Sequence, residues 1–583
     1  MPMKSKLETS ASADKKTSSV PLYRNDLWTL EDDFSLGRAG DQAARMALEV
    51  EPPFTLGVTG KWGAGKTSVL RRAFATLGGQ PIQQKRALTE PGEEGRDEQW
   101  ELLSWDNAER REGLKQQGWS KEHFESTEGV FCVWFSPWQH QNEPNPLVPL
   151  VREIRAQFEA RLSGWQKAKK TTEKIWEKNR SAGLASLKLL EQAGDAALSL
   201  AAGHSIFALR GTSDAVRQGW REGKNKDAAL LSPGDGQRFH LLFEDAVEQV
   251  LHTLFGLPRN GRGRGGAREL PSPEEYAPGS PRIILFIDDL DRCEEFVIVR
   301  MLEAIKLYLA SRRCVFVLGL DDGAVLDALT RHWAGRSPDN NREYLEKLFQ
   351  AILAVPLPST PQVKKTVAEQ LGAHGIRRPE PLAEDIEQLI EPNPRKIKNF
   401  VNGLCAAWGL HGAGERLWDK ANSKVENPGN LTPDEEYQRA ARRFLLFHYL
   451  RLYHRPVWRL LERQPWSLVI LRAVIKGLPE TERLNLPEGT DRDQQRLLWE
   501  FYFRAFSHVL GNPGGTGENE RLLHGNESLD DAVRNFQERQ DRKRSDEYLC
   551  RLFIELIPEE EDRLDDLYLY PNANSLITHS DAP

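Results

Sequence analysis

Residues 54–70, Phe-Thr-Leu-Gly-Val-Thr-Gly-Lys-Trp-Gly-Ala-Gly-Lys-Thr-Ser-Val-Leu, decide the fold of this chain. They begin with a short apolar run, which predicts a buried strand. A helical pattern starts directly after Lys66. Between the two lies the spacing Gly-x-x-x-x-Gly-Lys-[Ser/Thr], whose glycines let backbone N–H groups surround a phosphate because no Cβ intrudes. The stretch therefore predicts a phosphate-binding loop between a strand and a helix.

The residues of this loop have individual predicted roles. The helix that follows points its unpaired N–H groups and partial positive charge at the anion. Lys66 is expected to reach the β- and γ-phosphates, and the Thr67 hydroxyl to ligate Mg²⁺. The predicted nucleotide-binding residues of the loop are Gly60, Trp62, Gly63, Ala64, Gly65, Lys66, Thr67 and Ser68.

A second motif, Arg-Ile-Ile-Leu-Phe-Ile-Asp-Asp-Leu-Asp-Arg, occupies residues 282–292. An apolar run that ends in two aspartates is typical of a Walker B strand. Asp288 is expected to hold the Mg²⁺ shell, and Asp289 to orient or activate the attacking water, so that Lys66 and Asp289 are the predicted catalytic pair. Together the two motifs predict a nucleoside triphosphate and Mg²⁺ as ligands and water as the phosphoryl acceptor.

Length and composition restrict the class of protein. A chain of 583 residues predicts about two to four domains. Its net charge of −7 is small for this size and does not favour nucleic acid as a partner of the whole chain. The five cysteines are scattered without a Cys-x-x-Cys pair, which indicates neither a zinc site nor a disulfide framework and fits the cytoplasm. No stretch approaches the ~20 apolar residues of a membrane span.

Further buried strands at 130–135 and 314–320 complete an α/β fold. We predict a P-loop NTPase core, a mostly parallel sheet with helices on both faces, that carries a long helical insertion and precedes an all-α C-terminal domain. The predicted parts are a disordered tail at 1–20, an NTPase domain at 21–410 and a helical domain at 411–583. Within 21–410 we place a polar insertion at 80–128, a helical insertion with a mobile loop at 163–280 and a helical lid at 361–410.

Several other residues are candidates at the ends of predicted strands and helices. Trp138 and His140 follow the strand at 130–135, where ligands of open α/β sheets bind, although packing or capping is the favoured explanation for both. Asp321 and Asp322 follow another strand, where a γ-phosphate sensor belongs. Arg395 opens a helix and is a candidate lid residue on the nucleotide, with helix-end solvation as the alternative. An arginine supplied by a second copy is unresolved among Arg292, Arg300, Arg313 and Arg342.

These motifs, taken in order, resemble the KAP family of P-loop NTPases, within the STAND-like signalling ATPases. The matching stretches are 57–67, 133–140, 288–293, 344–350 and 393–400. The resemblance covers about residues 20–410 and implies ATP hydrolysis, with a long insertion between the Walker elements. About 220 residues separate Lys66 from Asp288, which agrees with that implication.

The resemblance also implies a setting. Many KAP relatives carry membrane helices in the insertion, whereas the insertion of this chain is charged, so no membrane attachment is expected. Bacterial relatives are often linked to anti-phage defence, including a Qat-type multigene system. This implies an ATPase subunit with protein partners encoded nearby, and self-association is a further expectation.

Three functions compete at this stage. The first is an ATP-driven switch, with slow and partner-stimulated turnover, in which nucleotide sets the relation of the core to the C-terminal helices. The second is a nucleotide-regulated assembly or DNA-binding component in which hydrolysis is incidental. Its support is the arginine-bearing loop at 256–268 and the basic helix at 434–454, which also fit a mobile loop and a solvated face. The third, a kinase-like phosphotransferase, lacks a recognisable acceptor site.

Overall fold

The computed structural model describes the chain in pieces and divides it into two compact units. One unit comprises residues 27–357 and the other residues 358–583 with 1–26. The predicted tail at 1–20 and the arginine-bearing loop lie outside the described residues, apart from Gly256 of that loop. The described residues are 23–24, 28–30, 34, 36–84, 100–103, 105, 108–124, 127–143, 145–168, 181–193, 233–256, 280–307, 309–333, 338–410, 412–423, 432–463, 467–475 and 547–557.

The first unit is built on a sheet of five parallel strands in the order β4-β5-β6-β1-β7. A separate antiparallel pair joins β2 to β3. The strands are β1 Phe54–Thr59, β2 Ile82–Gln84, β3 Trp100–Leu102, β4 Val130–Phe135, β5 Arg282–Ile287, β6 Cys314–Leu320 and β7 Ala351–Ala354. All five carboxyl ends therefore meet at one edge, where open α/β sheets bind their ligands.

Helices cover both faces of this sheet because the central strands are nearly continuous apolar runs, which present apolar side chains on each face. Ile283, Leu285 and Ile287 of β5 pack on one face, and Ile284 and Phe286 on the other. The helices of this unit are α1 Gly37–Glu49, α2 Lys66–Thr76, α3 Ala108–Gln116, α4 Leu147–Ala168, α5 181–193, α6 Pro233–Phe255, α7 Glu295–Leu307, α8 Asp322–His332 and α9 Pro338–Leu348. The predicted α/β class, with helices on both faces and a helical insertion, is confirmed.

Two predicted insertions are visible in part. The polar insertion at 80–128 contains short helices and also the β2–β3 pair, which its composition did not indicate. It contributes Leu114 and Trp119 to the core beside α2. In the helical insertion at 163–280, the described pieces are helical, namely the end of α4, α5 and α6, up to the start of β5.

The edge strand β4 has its outer backbone groups occupied by a side chain of α4. The amide of Gln157 accepts a hydrogen bond from Trp134 N at 2.9 Å and donates one to Trp134 O at 2.7 Å. An amide side chain can imitate a neighbouring strand in this way because it carries one donor and one acceptor side by side. At Trp134 the edge strand is thereby blocked from pairing with another chain.

The described part of the second unit is helical. Its elements are α10 Thr360–Ala373, α11 Glu380–Leu389, α12 Pro394–Leu410, α13 Ala413–Ser423, α14 Pro433–Tyr453, α15 Arg455–Arg463, α16 Ser467–Ile475 and α17 547–556. Thr432 and Glu435 form a capping box at the start of α14, since each side chain accepts a hydrogen bond from the backbone N–H of the other. The all-α character predicted for the C-terminal part is confirmed for these residues.

A buried ionic network joins three helices of this unit. Arg442 of α14 donates to both carboxylate oxygens of Asp385 on α11, at 2.8 and 3.1 Å, and also bonds Glu555 of α17. The Tyr548 hydroxyl donates to Asp385 at 2.6 Å. The neighbouring Arg443 donates to the carbonyl of Leu556 at 3.0 Å. The basic helix predicted at 434–454 therefore uses two of its arginines to hold α17.

The two units divide the chain after Leu357, whereas the predicted domains divide after residue 410. Helices α10 to α12, predicted as a lid of the NTPase domain, pack with α14. Gln370 bonds Asn402 at 2.8 Å, and Phe400 stacks on Tyr453. The domain boundaries stay a prediction. Among the described helices, none combines the length and the apolar character needed to cross a bilayer.

Candidate functional site

The predicted phosphate loop connects the carboxyl end of β1 to the start of α2. Gly63 and Gly65 have φ values of 82° and 101°, a region that favours glycine because a Cβ is strained there. A Cβ at Gly65 would in addition collide with Leu36. Inside the loop, Ala64 N donates to Lys61 O at 3.0 Å. Glycine can adopt these positive φ values without strain, which explains why the loop has glycine at positions 63 and 65.

Lys66 lies over the loop rather than in solvent. Its ammonium donates to Gly60 O at 2.9 Å and forms an ion pair with Asp291 at 3.0 Å. The same Asp291 carboxylate accepts a hydrogen bond from the backbone N–H of Asp321 at 3.1 Å. Asp291 therefore ties the loop lysine to the end of β6, and three strand ends contribute to one site.

Asp288 stands at the end of β5 and is buried. The Thr67 hydroxyl lies close enough to lower the pKa of this carboxylate, which brings the phosphate loop and the second motif together. Burial, followed by the charge of Asp289, raises the pKa of Asp288 to about 6, against the opposing effects of Thr67 and of the positive charge of Arg71. The carboxylate is thus held in a place that favours a cation beside it.

The oxygens of Thr67 and Asp288 fit Mg²⁺, which prefers hard oxygen ligands. Asp288 forms no ion pair within the described part of the chain, and the positive charge of Arg71 acts on it only at a distance. A bound cation would supply a positive charge in direct contact with the carboxylate. Among the described residues no three His, Cys, Asp or Glu side chains form a metal-binding group. Two protein oxygens suit Mg²⁺, because this ion usually keeps several waters and shares its remaining positions with substrate phosphates.

Asp289 has a left-handed backbone, with φ 59° and ψ 24°, which is uncommon for a residue with a Cβ. This turn directs its carboxylate toward Arg292, and the two form an ion pair at 2.9 Å. Burial raises the pKa of Asp289, whereas Arg292 lowers it. The Ser136 hydroxyl, buried and without a well-formed hydrogen bond, lies close enough to lower that pKa further. A strained residue with a shifted pKa at a strand end is typical of a functional position.

The guanidinium of Arg292 lies between two exposed tryptophans. Its Cζ is 5.6 Å from the ring centroid of Trp62 in the loop and 5.6 Å from that of Trp138. Trp62 is 61% exposed and Trp138 is 44% exposed. Trp138, for which packing was an open alternative, therefore lies at the site, where its ring faces the Arg292 guanidinium.

Arg71 is the residue of this site that the sequence did not reveal. It follows Thr67 by one helical turn, so both face the same side of α2. Its Cζ lies 3.4 Å from the ring centroid of Trp134 and 4.8 Å from that of Trp28. Burial lowers its pKa to about 10, while Asp288 and Asp289 raise it. The only available signal was the spacing of four from Thr67.

Other predicted residues have different surroundings. The Asp321 side chain caps α8 by accepting from Gly323 N at 3.1 Å, which gives it a structural explanation. His140 stacks on Phe135, and burial lowers its pKa. The Ser68 hydroxyl accepts from Thr29 N at 3.4 Å. Arg395 belongs to the second unit, where its backbone N–H donates to Asn393, and its role as a lid residue stays a prediction.

The comparison with protein families matches part of this chain to a P-loop domain. Residues 43–191 and 276–407 match the family model described as the KAP family P-loop domain. No curated protein matches the chain significantly. Two solved structures are similar at 10% identity and cover 91% of this chain and 97% of their own: a Walker-type ATPase of Pyrococcus abyssi and the ORC2 protein of Aeropyrum pernix, with TM-scores of 0.27 and 0.26.

Proposed function

We propose, from the premise that residues 43–191 and 276–407 form a P-loop domain of the KAP type, that this chain binds ATP with Mg²⁺ and hydrolyses it. The ion pair at 3.0 Å between Lys66 of the phosphate loop and Asp291 of the second motif carries the proposal. It joins a phosphate-loop residue to a carboxylate about 220 positions later in the chain, and no packing requirement demands that pair. ATP is preferred over other nucleotides on the basis of the KAP resemblance alone.

The residues divide the work by their chemistry. The loop N–H groups and Lys66 would bind the phosphates, and Lys66 is already directed there by Gly60. Thr67 and Asp288 would hold Mg²⁺, which neutralises charge on the phosphate oxygens when bound. Asp289 would accept the proton of the attacking water, since its carboxylate projects from the strand end beside Asp288.

The reaction consumes one water. The water oxygen forms a bond to the γ-phosphorus while the bond from that phosphorus to the β–γ bridging oxygen breaks, and the bridging oxygen leaves with the electron pair on ADP. The water proton passes to Asp289 and then to solvent. The products are ADP, phosphate and a proton, so atoms and charge balance. Protein groups contribute positioning and charge stabilisation, as in other phosphoryl transfers.

The test compares steady-state phosphate release by the wild type, Lys66→Ala and Asp289→Asn. Each substitution is expected to lower turnover by about 10² or more, because each removes a group that acts on the transferring phosphoryl. Lys347→Ala is the matched control, since Lys347 is an exposed lysine that pairs with Glu343 one turn away. Removal of Mg²⁺ by a chelator should abolish the wild-type rate. Equal rates for wild type and Lys66→Ala would discard the site.

We also propose that hydrolysis is slow, stimulated by protein partners, and serves as a switch in a cytoplasmic anti-phage complex. The support is the KAP resemblance of residues 43–191 and 276–407. A phage plating assay on cells carrying the complete gene neighbourhood tests it, with Lys66→Ala expected to lose protection and Lys347→Ala to keep it. Protection by both variants would refute the switch. Of the residues that support the DNA-binding alternative, Arg442 and Arg443 are engaged with α17, and the loop at 256–268 lies outside the described residues apart from Gly256.

A further inference from the structure

Arg292 differs from the other cations near the site in how its guanidinium is held. Its Nε forms an ion pair with Asp289 at 2.9 Å, and in the part of the chain that the structure describes the guanidinium makes no other hydrogen bond or ion pair. The tryptophan faces at 5.6 Å hold the plane of the group without using any N–H donor. Its two terminal NH₂ groups, with four N–H donors, can therefore bind a further anion.

Two alternative arginines have other contacts. Arg313 is buried and its Nε pairs with Glu248 at 2.8 Å, on the α6 side of the sheet. Arg71 lies against the Trp134 ring and acts on the aspartates only through its field. Arg292 directly contacts the side chain predicted to activate water, and a side chain that bonds this carboxylate also lies near the phosphorus that the water attacks.

We propose that Arg292 stabilises the γ-phosphoryl group in transfer from within the same chain, and that Trp62 and Trp138 are positioning residues for its guanidinium. This rests on the proposed ATP hydrolysis and adds the arginine that the sequence left unresolved. Arg292 bridges the water-activating carboxylate and the phosphoryl oxygens, and its charge acts most strongly when negative charge spreads over those oxygens. No arginine from a second copy is then required.

The first experiment measures binding rather than turnover. Fluorescent ADP is titrated with Mg²⁺, in the absence and presence of aluminium fluoride, which imitates the phosphoryl group in transfer. For the wild type we expect binding at least about tenfold tighter with aluminium fluoride. Arg292→Ala should bind ADP within about threefold of wild type but lose the gain from aluminium fluoride. Arg331→Ala is the control, since Arg331 is an exposed arginine of the same unit that pairs with Glu295.

The outcomes separate this inference from the proposed function. Failure of the wild type to bind ADP, or ADP binding by Lys66→Ala equal to wild type, refutes the nucleotide site and the inference with it. A full aluminium fluoride gain in Arg292→Ala, in a protein whose Lys66→Ala variant no longer binds ADP, refutes only the inference. Turnover of Arg292→Ala should be about 10²–10³-fold slower and partly restored by millimolar guanidinium, a rescue that a folding defect would not show.

Mixing variants decides whether the arginine acts within one chain. Arg292→Ala and Lys66→Ala are combined at equal concentrations and assayed for hydrolysis. Arginine supplied within the chain predicts no recovery, because no subunit then has both groups. Recovery toward a quarter of the wild-type rate or more would show supply between copies and overturn the proposal.

The positioning role of the tryptophans has its own readout. The double variant Trp62→Ala with Trp138→Ala should lower kcat about tenfold while KM stays within about twofold, because the phosphate loop still binds ground-state nucleotide. The variant with phenylalanine at both positions should recover most of kcat, since a ring face also attracts a guanidinium. A rise in KM with unchanged kcat, or no recovery by phenylalanine, would contradict the positioning role.

Discussion

Replacing Gly319 with alanine should displace the carboxylate of Asp288. Gly319 lies on β6, between β1 and β5, and a Cβ there would be 3.0 Å from Asp288 Oδ1 and 2.5 Å from Leu70 Cδ1. A comfortable carbon–carbon contact is about 3.5–4.0 Å, so Leu70 would have to move by about 1 Å or more. Leu70 is fully buried on α2, the helix that also carries Thr67. Strain therefore reaches both predicted Mg²⁺ ligands at once.

The magnitude follows from these contacts. Overpacking a close-packed core costs about 1–3 kcal/mol of unfolding free energy. A displacement of up to about 1 Å at a group that must be aligned with the phosphate lowers turnover by about 10²-fold. Binding of ADP should weaken much less, because the phosphate loop glycines are untouched. Denaturant unfolding, ADP titration and steady-state phosphate release measure the three effects separately.

Gly57→Ala is the matched control for this prediction. Gly57 lies on the neighbouring strand β1, and a Cβ there would be 3.2 Å from the ring of Phe349, away from the aspartates. It should lose stability, by about 1 kcal/mol, and keep wild-type turnover per folded molecule. Wild-type turnover in Gly319→Ala, or an equal loss in Gly57→Ala, would refute the view that the bare Cα of Gly319 makes room for the Asp288 carboxylate.

Three further predictions concern stability. Burial lowers the pKa of His448 to about 4 from an ordinary 6.5, so the unfolded chain binds the proton first as pH falls. In urea unfolding, the wild type should therefore lose up to about 3 kcal/mol of unfolding free energy between pH 6.5 and 4 relative to His448→Gln. Parallel pH dependences of the two proteins would contradict this. Asp385→Ala should cost about 2–4 kcal/mol by leaving Arg442 without its buried partner, whereas the neighbouring exposed Glu384→Ala should not change the unfolding midpoint. Gln157→Leu should lower the free energy of unfolding by about 1–3 kcal/mol and increase aggregation measured by light scattering, because it uncovers the backbone of β4 at Trp134. Glu159→Leu is the control on the same helix. Equal aggregation of the two variants would point to the added apolar surface instead.

The parts predictable from sequence are those with a local signal. The loop at 60–67 and the run before Asp288 each carry strand, turn and chemistry within about a dozen residues, and both strands were found where expected. The order of the sheet has no such signal: β6 lies between the two motif strands, so the contact of Thr67 with Asp288 depends on pairing between segments far apart in the chain. The β2–β3 pair was missed because its strands have three residues each, too few for an apolar alternation to be recognised.

Side-chain environments set by distant segments could not be predicted either. In the sequence, Arg71 and Arg72 look like one solvated helical turn. In the structure Arg72 pairs with Asp41 of α1 at 3.0 Å, whereas Arg71 is enclosed by Trp28 and Trp134. Similarly, Arg442 and Arg443 looked like a basic face, and α17, more than 100 residues later in the chain, covers them. Periodicity shows which residues share a helix face but not what packs on that face.

The enclosed Arg71 opposes an effect of burial at the site. Asp288 must be buried to hold a metal in a dry setting, yet burial raises its pKa and so favours protonation in competition with Mg²⁺. A second carboxylate on Asp289 makes that worse. A guanidinium still protonated at a pKa of about 10 acts against both effects, and aromatic faces hold it there without hydrogen-bonding to the aspartates. A direct ion pair would have occupied the Asp288 oxygens that the metal needs, whereas a cation held at a distance keeps them ionised and leaves them accessible.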